Sequence, residues 1–135
     1  MQVVILGSGI VGLTLANLLA KQNFNLILIE PRAPELNWDP ATYDLRVSAI
    51  TRASQHIFEH IGIWPAILAQ RVAAYTHMQV WQANSQVQVD FAAHAIGEDN
   101  LGYIVENRIL QATLYQSLLG YQNVRMLIVL PCSKL

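Results

Sequence analysis

The feature that most constrains this chain is a glycine pattern near its start, Gly7-Ser8-Gly9-Ile10-Val11-Gly12. G-x-G-x-x-G is common by itself and acquires meaning only from its surroundings. Before it, Gln2–Leu6 is a short apolar run rich in β-branched residues, as expected for a parallel strand buried on both faces. After it, Val11, Leu15, Leu18 and Leu19 recur at helical spacing as far as Lys21. Asn23 stands where that helix should end, and asparagine tolerates the left-handed conformation of a C-cap. A second buried-strand run over 26–29 closes on Glu30 and Pro31. Strand, turn, helix, turn and strand within about thirty residues make a βαβ unit.

In such a unit each glycine has a mechanical reason. Gly7 permits the tight turn off the strand, Gly9 lets the backbone approach a pyrophosphate, and Gly12 allows close packing of helix on strand. Ala16, one helical turn later, keeps the same face small. The first helical residues, Ile10 and Val11, offer free N–H groups and the partial positive charge of the helix N-terminus to phosphates. Glu30 can accept hydrogen bonds from adenosine ribose hydroxyls, and an acid there disfavours a 2′-phosphate. NAD and FAD both remain open on this motif alone. The bland alternative is a glycine turn that only packs a βαβ unit.

Residues 31–44 hold three prolines and form an irregular connection. A helix is expected over 48–61, with Ile50, Ile57 and Ile61 on one side, broken by Gly62 and Pro65. A short helix follows over 65–71. Met78, Val80 and Gln82, then Val87, Val89 and Phe91, alternate about Ala83-Asn84-Ser85 and read as a β-hairpin. Residues 92–102 are a loop and 103–105 a short strand. A helix over 107–119 places Leu110, Leu114 and Leu118 on one face, and 124–130 is a third buried-strand run stopped by Pro131. The fold class is therefore α/β: a Rossmann-like parallel sheet with helices, plus a β-hairpin.

Composition narrows the function classes. The chain has 135 residues, 53% hydrophobic and 13% charged, which suits one globular domain. Eight basic and nine acidic residues are scattered, leaving a net charge of −1 and no basic patch for nucleic acid. Cys132 has no second cysteine to pair with and reads as an inert thiol in a reducing compartment. The uncharged stretch 1–20 could pass for a signal peptide or membrane span, but it lacks a basic n-region and glycines interrupt it. The cytoplasm is the expected compartment.

Several other constellations fall short of a site. His56-Ile57-Phe58-Glu59-His60 fits H-x-x-E-H, the inverted zinc-protease pattern, but no third ligand accompanies it and a surface helix is expected. His77 and His94 read as surface residues, and Trp38, Trp64 and Trp81 as packing residues. Gly-x-Ser-x-Gly is absent. No metal site and no acid–base catalyst is singled out.

One further segment bears on the ligand: Tyr43-Asp44-Leu45-Arg46-Val47-Ser48-Ala49-Ile50. An NAD-dehydrogenase domain usually continues directly into another βα unit. Here a proline-rich excursion delivers a lone arginine just before the expected helix. A guanidinium at that point can bridge a bound pyrophosphate, though an arginine merely exposed at a helix start fits the spacing equally well.

With GSGIVGLTLA and Glu30, the DLRVSAIT segment and GYIVENRILQATL in order, the chain resembles the flavin-dependent aromatic hydroxylases. Within them it is most similar to the ubiquinone-biosynthesis hydroxylases. The resemblance implies FAD as cofactor, NAD(P)H as reductant, activation of O2, and hydroxylation of a phenol, polyprenylated or not. It implies that Gly7, Gly9 and Gly12 hold the pyrophosphate, Glu30 the adenosine ribose, and Arg46 the phosphate and ribityl side. Asn107 and Arg108 begin the V-E-N-R segment, one of them reaching the ribityl or ring portion. The family is much longer and carries a later Gly-Asp motif and substrate sheet. Residues 1–135 are thus expected to be the N-terminal part of such a domain, without its substrate portion. Two rivals stay open: an NAD-dependent dehydrogenase fragment and a non-catalytic nucleotide-binding module. Peripheral contact with a membrane and self-association stay open too.

Overall fold

The computed structural model describes residues 1–84 and 87–129. In chain order the elements are β1 (Gln2–Leu6), α1 (Ile10–Lys21), β2 (Asn25–Glu30), β3 (Val47–Thr51), α2 (Arg52–Ile61) and α3 (Trp64–Leu68). Then come β4 (Val72–Tyr75), β5 (His77–Trp81), β6 (Gln88–Ala92), β7 (Gly102–Glu106), α4 (Asn107–Leu118) and β8 (Val124–Ile128). A parallel sheet is ordered β1-β2-β8, an antiparallel one β3-β7-β4, and β5 with β6 form the expected hairpin. The βαβ unit thus forms as read, and α1 ends with Asn23 in the left-handed region at φ 60.

The core joins Ile5, Leu26 and Leu28 of the parallel sheet to Leu13 of α1 and Leu110, Leu114 and Leu118 of α4. The apolar face expected for α4 is the one it buries. For α1 the expected stripe is only partly the buried one: the helix buries Leu13, Ala16, Asn17 and Ala20, Leu18 and Leu19 pack against the edge of the core, and Val11 is 83% exposed. The reason is tertiary. Ala16 lets α4 approach, and the buried Asn17 amide donates to the carbonyls of Leu13 (2.8 Å) and Leu114 (3.0 Å), stitching the two helices together. Val11, Leu15 and Leu18 instead line an apolar groove of about 310 Å³ with Ile50, Ile57 and Phe58.

In the parallel sheet the two faces differ. Only the helix-facing side is buried; Val4, Leu6 and Leu127 on the other side are exposed. An apolar run satisfies a strand covered on two faces or on one, so composition does not decide between them.

The expected helix over 48–61 begins only at Arg52. Residues 47–51 pair antiparallel with β7, from Val47 opposite Glu106 to Thr51 opposite Gly102. Thr51 then caps α2, its hydroxyl accepting from the Ser54 amide at 3.3 Å. Arg46 consequently precedes a strand, not a helix. β4 was not expected, because Val72–Tyr75 is short and half alanine. The helix over 65–71 shrinks to α3, and the 92–102 loop contains a 3-10 turn, Ala93–Ile96. Trp64 packs as expected between Phe58 and Tyr103, whereas Trp81 on the hairpin is exposed. Ser85 of the hairpin turn, Leu130, Pro131 and Cys132 lie outside the described residues.

Candidate functional site

The β1–α1 turn is shaped by two glycines for internal reasons. Gly7 sits at φ +97, where a side chain is disfavoured, and its amide donates to the Ile29 carbonyl at 2.9 Å. At Gly12 a Cβ would stand 2.1 Å from the Gly7 carbonyl oxygen, so nothing larger lets α1 pack against the turn. Gly9 is different. Its backbone is ordinary (φ −71, ψ 177), and a Cβ there would meet nothing within 4 Å. The fold does not require glycine at position 9; an external group approaching the backbone would.

Gly9 is also the N-cap of α1, and no side chain caps that end. The first intrahelical bond runs from the Leu13 amide to the Gly9 carbonyl at 2.9 Å. Helical geometry leaves the N–H groups of Ile10, Val11 and Gly12 ahead of it without internal acceptors. The first turn contains no acidic residue, so the positive end of the helix is not offset by its own side chains. Such an end suits a phosphate.

Glu30 closes β2 beside this turn. Its Oε2 accepts from the Ser8 amide, and Oε1 has no donor among the described residues. That leaves one carboxylate oxygen to accept from a hydroxyl. Ser8 is fully buried, its carbonyl accepts from the Gln111 side chain at 2.9 Å, and its hydroxyl has no partner. An open Cβ position, an uncapped helix end, a half-used carboxylate and a buried hydroxyl without a partner all fit an adenine dinucleotide lying across 7–12.

Gln111 belongs to α4, and the start of that helix gathers the other predicted residues. The Asn107 amide donates to the Arg46 carbonyl at 2.9 Å, and the Arg108 amide to Asp44 Oδ2 at 3.3 Å. Residues 44 and 46 therefore cap α4 from a distant part of the chain. Asp44 Oδ1 accepts from the Arg46 amide at 3.0 Å, bracing the same turn. The Asn107 side chain accepts from the Ser48 hydroxyl at 2.6 Å. With its backbone tied on both sides, Arg46 is exposed, and its guanidinium has no partner among the described residues. Asn107 and Gln111 are one helical turn apart, so the Arg46 segment and the glycine turn meet along one side of α4.

Arg108 is placed differently. Its guanidinium donates to Glu106 Oε2 (2.8 Å from Nε) and to the Thr42 carbonyl and hydroxyl, and lies 5.0 Å from the Trp38 ring centre. Arg71 reaches Glu106 Oε1 at 3.0 Å, donates to the carbonyls of Pro40 and Thr42, and lies over Tyr43. Glu106 also accepts from the Asp44 amide at 2.9 Å. Burial by itself would raise the Glu106 pKa; the Asp44 amide and the two guanidinium groups outweigh it and hold the carboxyl below its usual value of 4.5. Asp44, Glu106 and Gln111 were missed by sequence reasoning. The only signals are an acid at the end of an apolar strand and the two-residue spacing in Asp44-Leu45-Arg46.

His56 and His60 lie on α2, both exposed. Among the described residues no group of three or more His, Cys, Asp or Glu side chains gathers in a form that could hold a metal. No helix among them is long and apolar enough to cross a membrane.

Comparison with known proteins identifies the family. The FAD binding domain family matches residues 1–119. The 3-demethoxyubiquinol 3-hydroxylase of Escherichia coli is 34% identical over 123 residues, covering 91% of this chain and 31% of that protein. The mitochondrial ubiquinone biosynthesis monooxygenase COQ6 of Xenopus tropicalis is 37% identical over 122 residues, 86% of this chain and 26% of its own. The chain therefore spans under a third of the length of these two relatives. Among solved structures, a probable FAD-dependent monooxygenase of Pseudomonas aeruginosa, pqsL, superposes with a TM-score of 0.68 at 22% identity, over 94% of this chain and 32% of its own. The flavin-dependent monooxygenase PieE, solved with FAD and substrate, has a TM-score of 0.60 at 15% identity, over 93% of this chain and 23% of its own. Both likenesses concern the fold.

Proposed function

This chain belongs to the FAD-binding domain family, and from that premise we propose that it forms the dinucleotide-binding part of a flavin-dependent aromatic-ring monooxygenase. The observation that carries the reading is Gly9, a glycine with open space before it at an uncapped helix end beside Glu30. Gly7, Gly9 and Gly12, with the amides of Ile10 and Val11, hold the pyrophosphate. Glu30 takes the adenosine ribose, and Arg46 reaches the pyrophosphate or ribityl side. Asn107 is the nearer of the V-E-N-R pair to the cofactor, because Arg108 is engaged with Glu106 and Thr42. When bound, the flavin supplies the redox chemistry, passing electrons from NAD(P)H to O2. The protein supplies binding and orientation.

The names of the two relatives support a phenolic substrate of the ubiquinone series. Against an NAD-dependent dehydrogenase, the chain leaves β2 through a long irregular segment and enters an antiparallel sheet, with no second βα unit directly after β2. The chain alone is expected to hold FAD weakly and to hydroxylate nothing, since the substrate portion expected of a longer family member is not within it.

The test is titration of the chain with FAD, followed by quenching of flavin fluorescence, with NAD added as a competitor. FAD should bind more tightly than NAD, which shares only the adenosine and pyrophosphate half, and Gly9→Val should abolish binding of both with no more than a small loss of thermal stability from the changed N-cap. If Gly9→Val retains wild-type FAD affinity, the site is misplaced.

A further inference from the structure

Segment 38–46 has no regular structure, yet it carries the arginine aimed away from the fold. Its shape comes from charges beneath it. Glu106, at the end of β7, places one oxygen on Arg71 and the other on Arg108 and the Asp44 amide. Both guanidinium groups then donate to the Thr42 carbonyl, and Arg71 also to that of Pro40. The rings of Trp38 and Tyr43 lie on Arg108 and Arg71 respectively. Asp44 continues the chain of contacts, accepting from the Arg46 amide, while the Arg46 carbonyl is fixed to Asn107. Among the described residues Glu106 is the only carboxylate paired with either Arg71 or Arg108.

We propose that Glu106 is a positioning residue for the dinucleotide: through Arg71, Arg108 and Asp44 it holds segment 38–46 so that the Arg46 guanidinium faces the flavin side of the bound FAD. The proposal rests on the FAD-binding reading above. Glu106 touches no part of the ligand. Its effect is transmitted through a backbone whose carbonyls are held by two arginines that Glu106 itself anchors. A loosened segment leaves Arg46 exposed and charged but no longer directed, which costs affinity only for ligands that extend beyond the adenosine phosphate.

The experiment measures FAD and AMP affinities of the whole chain for wild type, Glu106→Gln, Arg71→Ala, Arg46→Ala and the Glu106→Gln/Arg46→Ala double variant, with thermal unfolding alongside. AMP reports the Glu30 and glycine-turn half alone. Glu106→Gln should weaken FAD about tenfold and leave AMP within about twofold, and it should add nothing once Arg46 is gone. Arg71→Ala, at a partly exposed position, should give a smaller loss with the same FAD-over-AMP selectivity, and it carries the test if Glu106→Gln does not fold. Equal weakening of FAD and AMP, or an effect that persists without Arg46, would mean that Glu106 is merely structural and would overturn the proposal. A wild-type chain that binds no FAD would overturn the FAD reading itself and this inference with it.

Discussion

Two glutamates each end a strand of this molecule, Glu30 on β2 and Glu106 on β7, and they do opposite work. Glu30 is half-buried, with one oxygen on the Ser8 amide and the other without a donor among the described residues. Glu106 is buried, both of its oxygens occupied by an amide and two guanidinium groups. Around Glu30 the backbone is pared down: a glycine with empty space before it and a helix end without a cap. Around Glu106 the polar groups are turned inward onto one another. Unused hydrogen-bonding capacity beside open space marks a place where a ligand completes the site, while saturated capacity marks one where the fold has completed itself.

The largest expected effect sets these two carboxylates against each other. Glu106→Ala leaves the half-buried Arg108 guanidinium without a carboxylate and removes the anchor of Arg71 and the Asp44 amide, and should destabilise the chain by about 3 kcal/mol in denaturant unfolding. Glu30→Ala should cost no more than about 1 kcal/mol of stability while weakening FAD binding about tenfold. Equal stability losses would break the comparison.

A pH series sharpens it. Because the Glu106 carboxyl is held below its usual 4.5, the folded chain binds fewer protons than the unfolded one just under that value. Its stabilising contribution is therefore complete above 4.5 and is lost as pH falls through the lower folded-state value. Urea midpoints taken downward from about pH 6 should show this loss, and Glu106→Gln should show a shallower slope than wild type. Identical slopes would remove Glu106 from the acid transition.

The smallest effect concerns the residue that links α4 to the glycine turn. Gln111→Ala removes one hydrogen bond to the Ser8 carbonyl and should cost about 1 kcal/mol. It should also weaken FAD binding about fivefold, as the turn loosens by the same amount. Unchanged FAD affinity would show that Gly7 and Gly12 hold the turn without help.

What could be read from the residues alone was local. The βαβ unit was legible because strand, glycine turn, helix and terminal acid lie consecutively, and each imposes backbone geometry on its neighbours. The hairpin and the buried face of α4 were legible for the same reason. Residues 47–51 were not: Val47, Ser48, Ala49 and Ile50 suit a helix as well as a strand, and pairing with β7, more than fifty residues away, decides. The α1 stripe is only half legible because its helix carries two adjacent apolar stripes: Leu18 and Leu19 reach the core, but Asn17 bonding to α4 turns the less hydrophobic stripe fully inward.

The site divides along the same line. By itself the sequence determined that a tight glycine turn joins the first strand to the first helix, since Gly7 and Gly12 are demanded by a dihedral angle and a contact of the turn itself, and that an acid ends the next strand. Only the tertiary structure decided which arginine is free. Arg46 and Arg108 carry the same guanidinium, and nothing in their neighbours separates them. Burial of Glu106 beneath segment 38–46 takes up Arg108, while the capping of α4 by residues 44 and 46 leaves the Arg46 side chain in solvent. A charge buried in low dielectric must find its partner within the fold, and that partner is chosen by spatial proximity, which local sequence spacing does not encode.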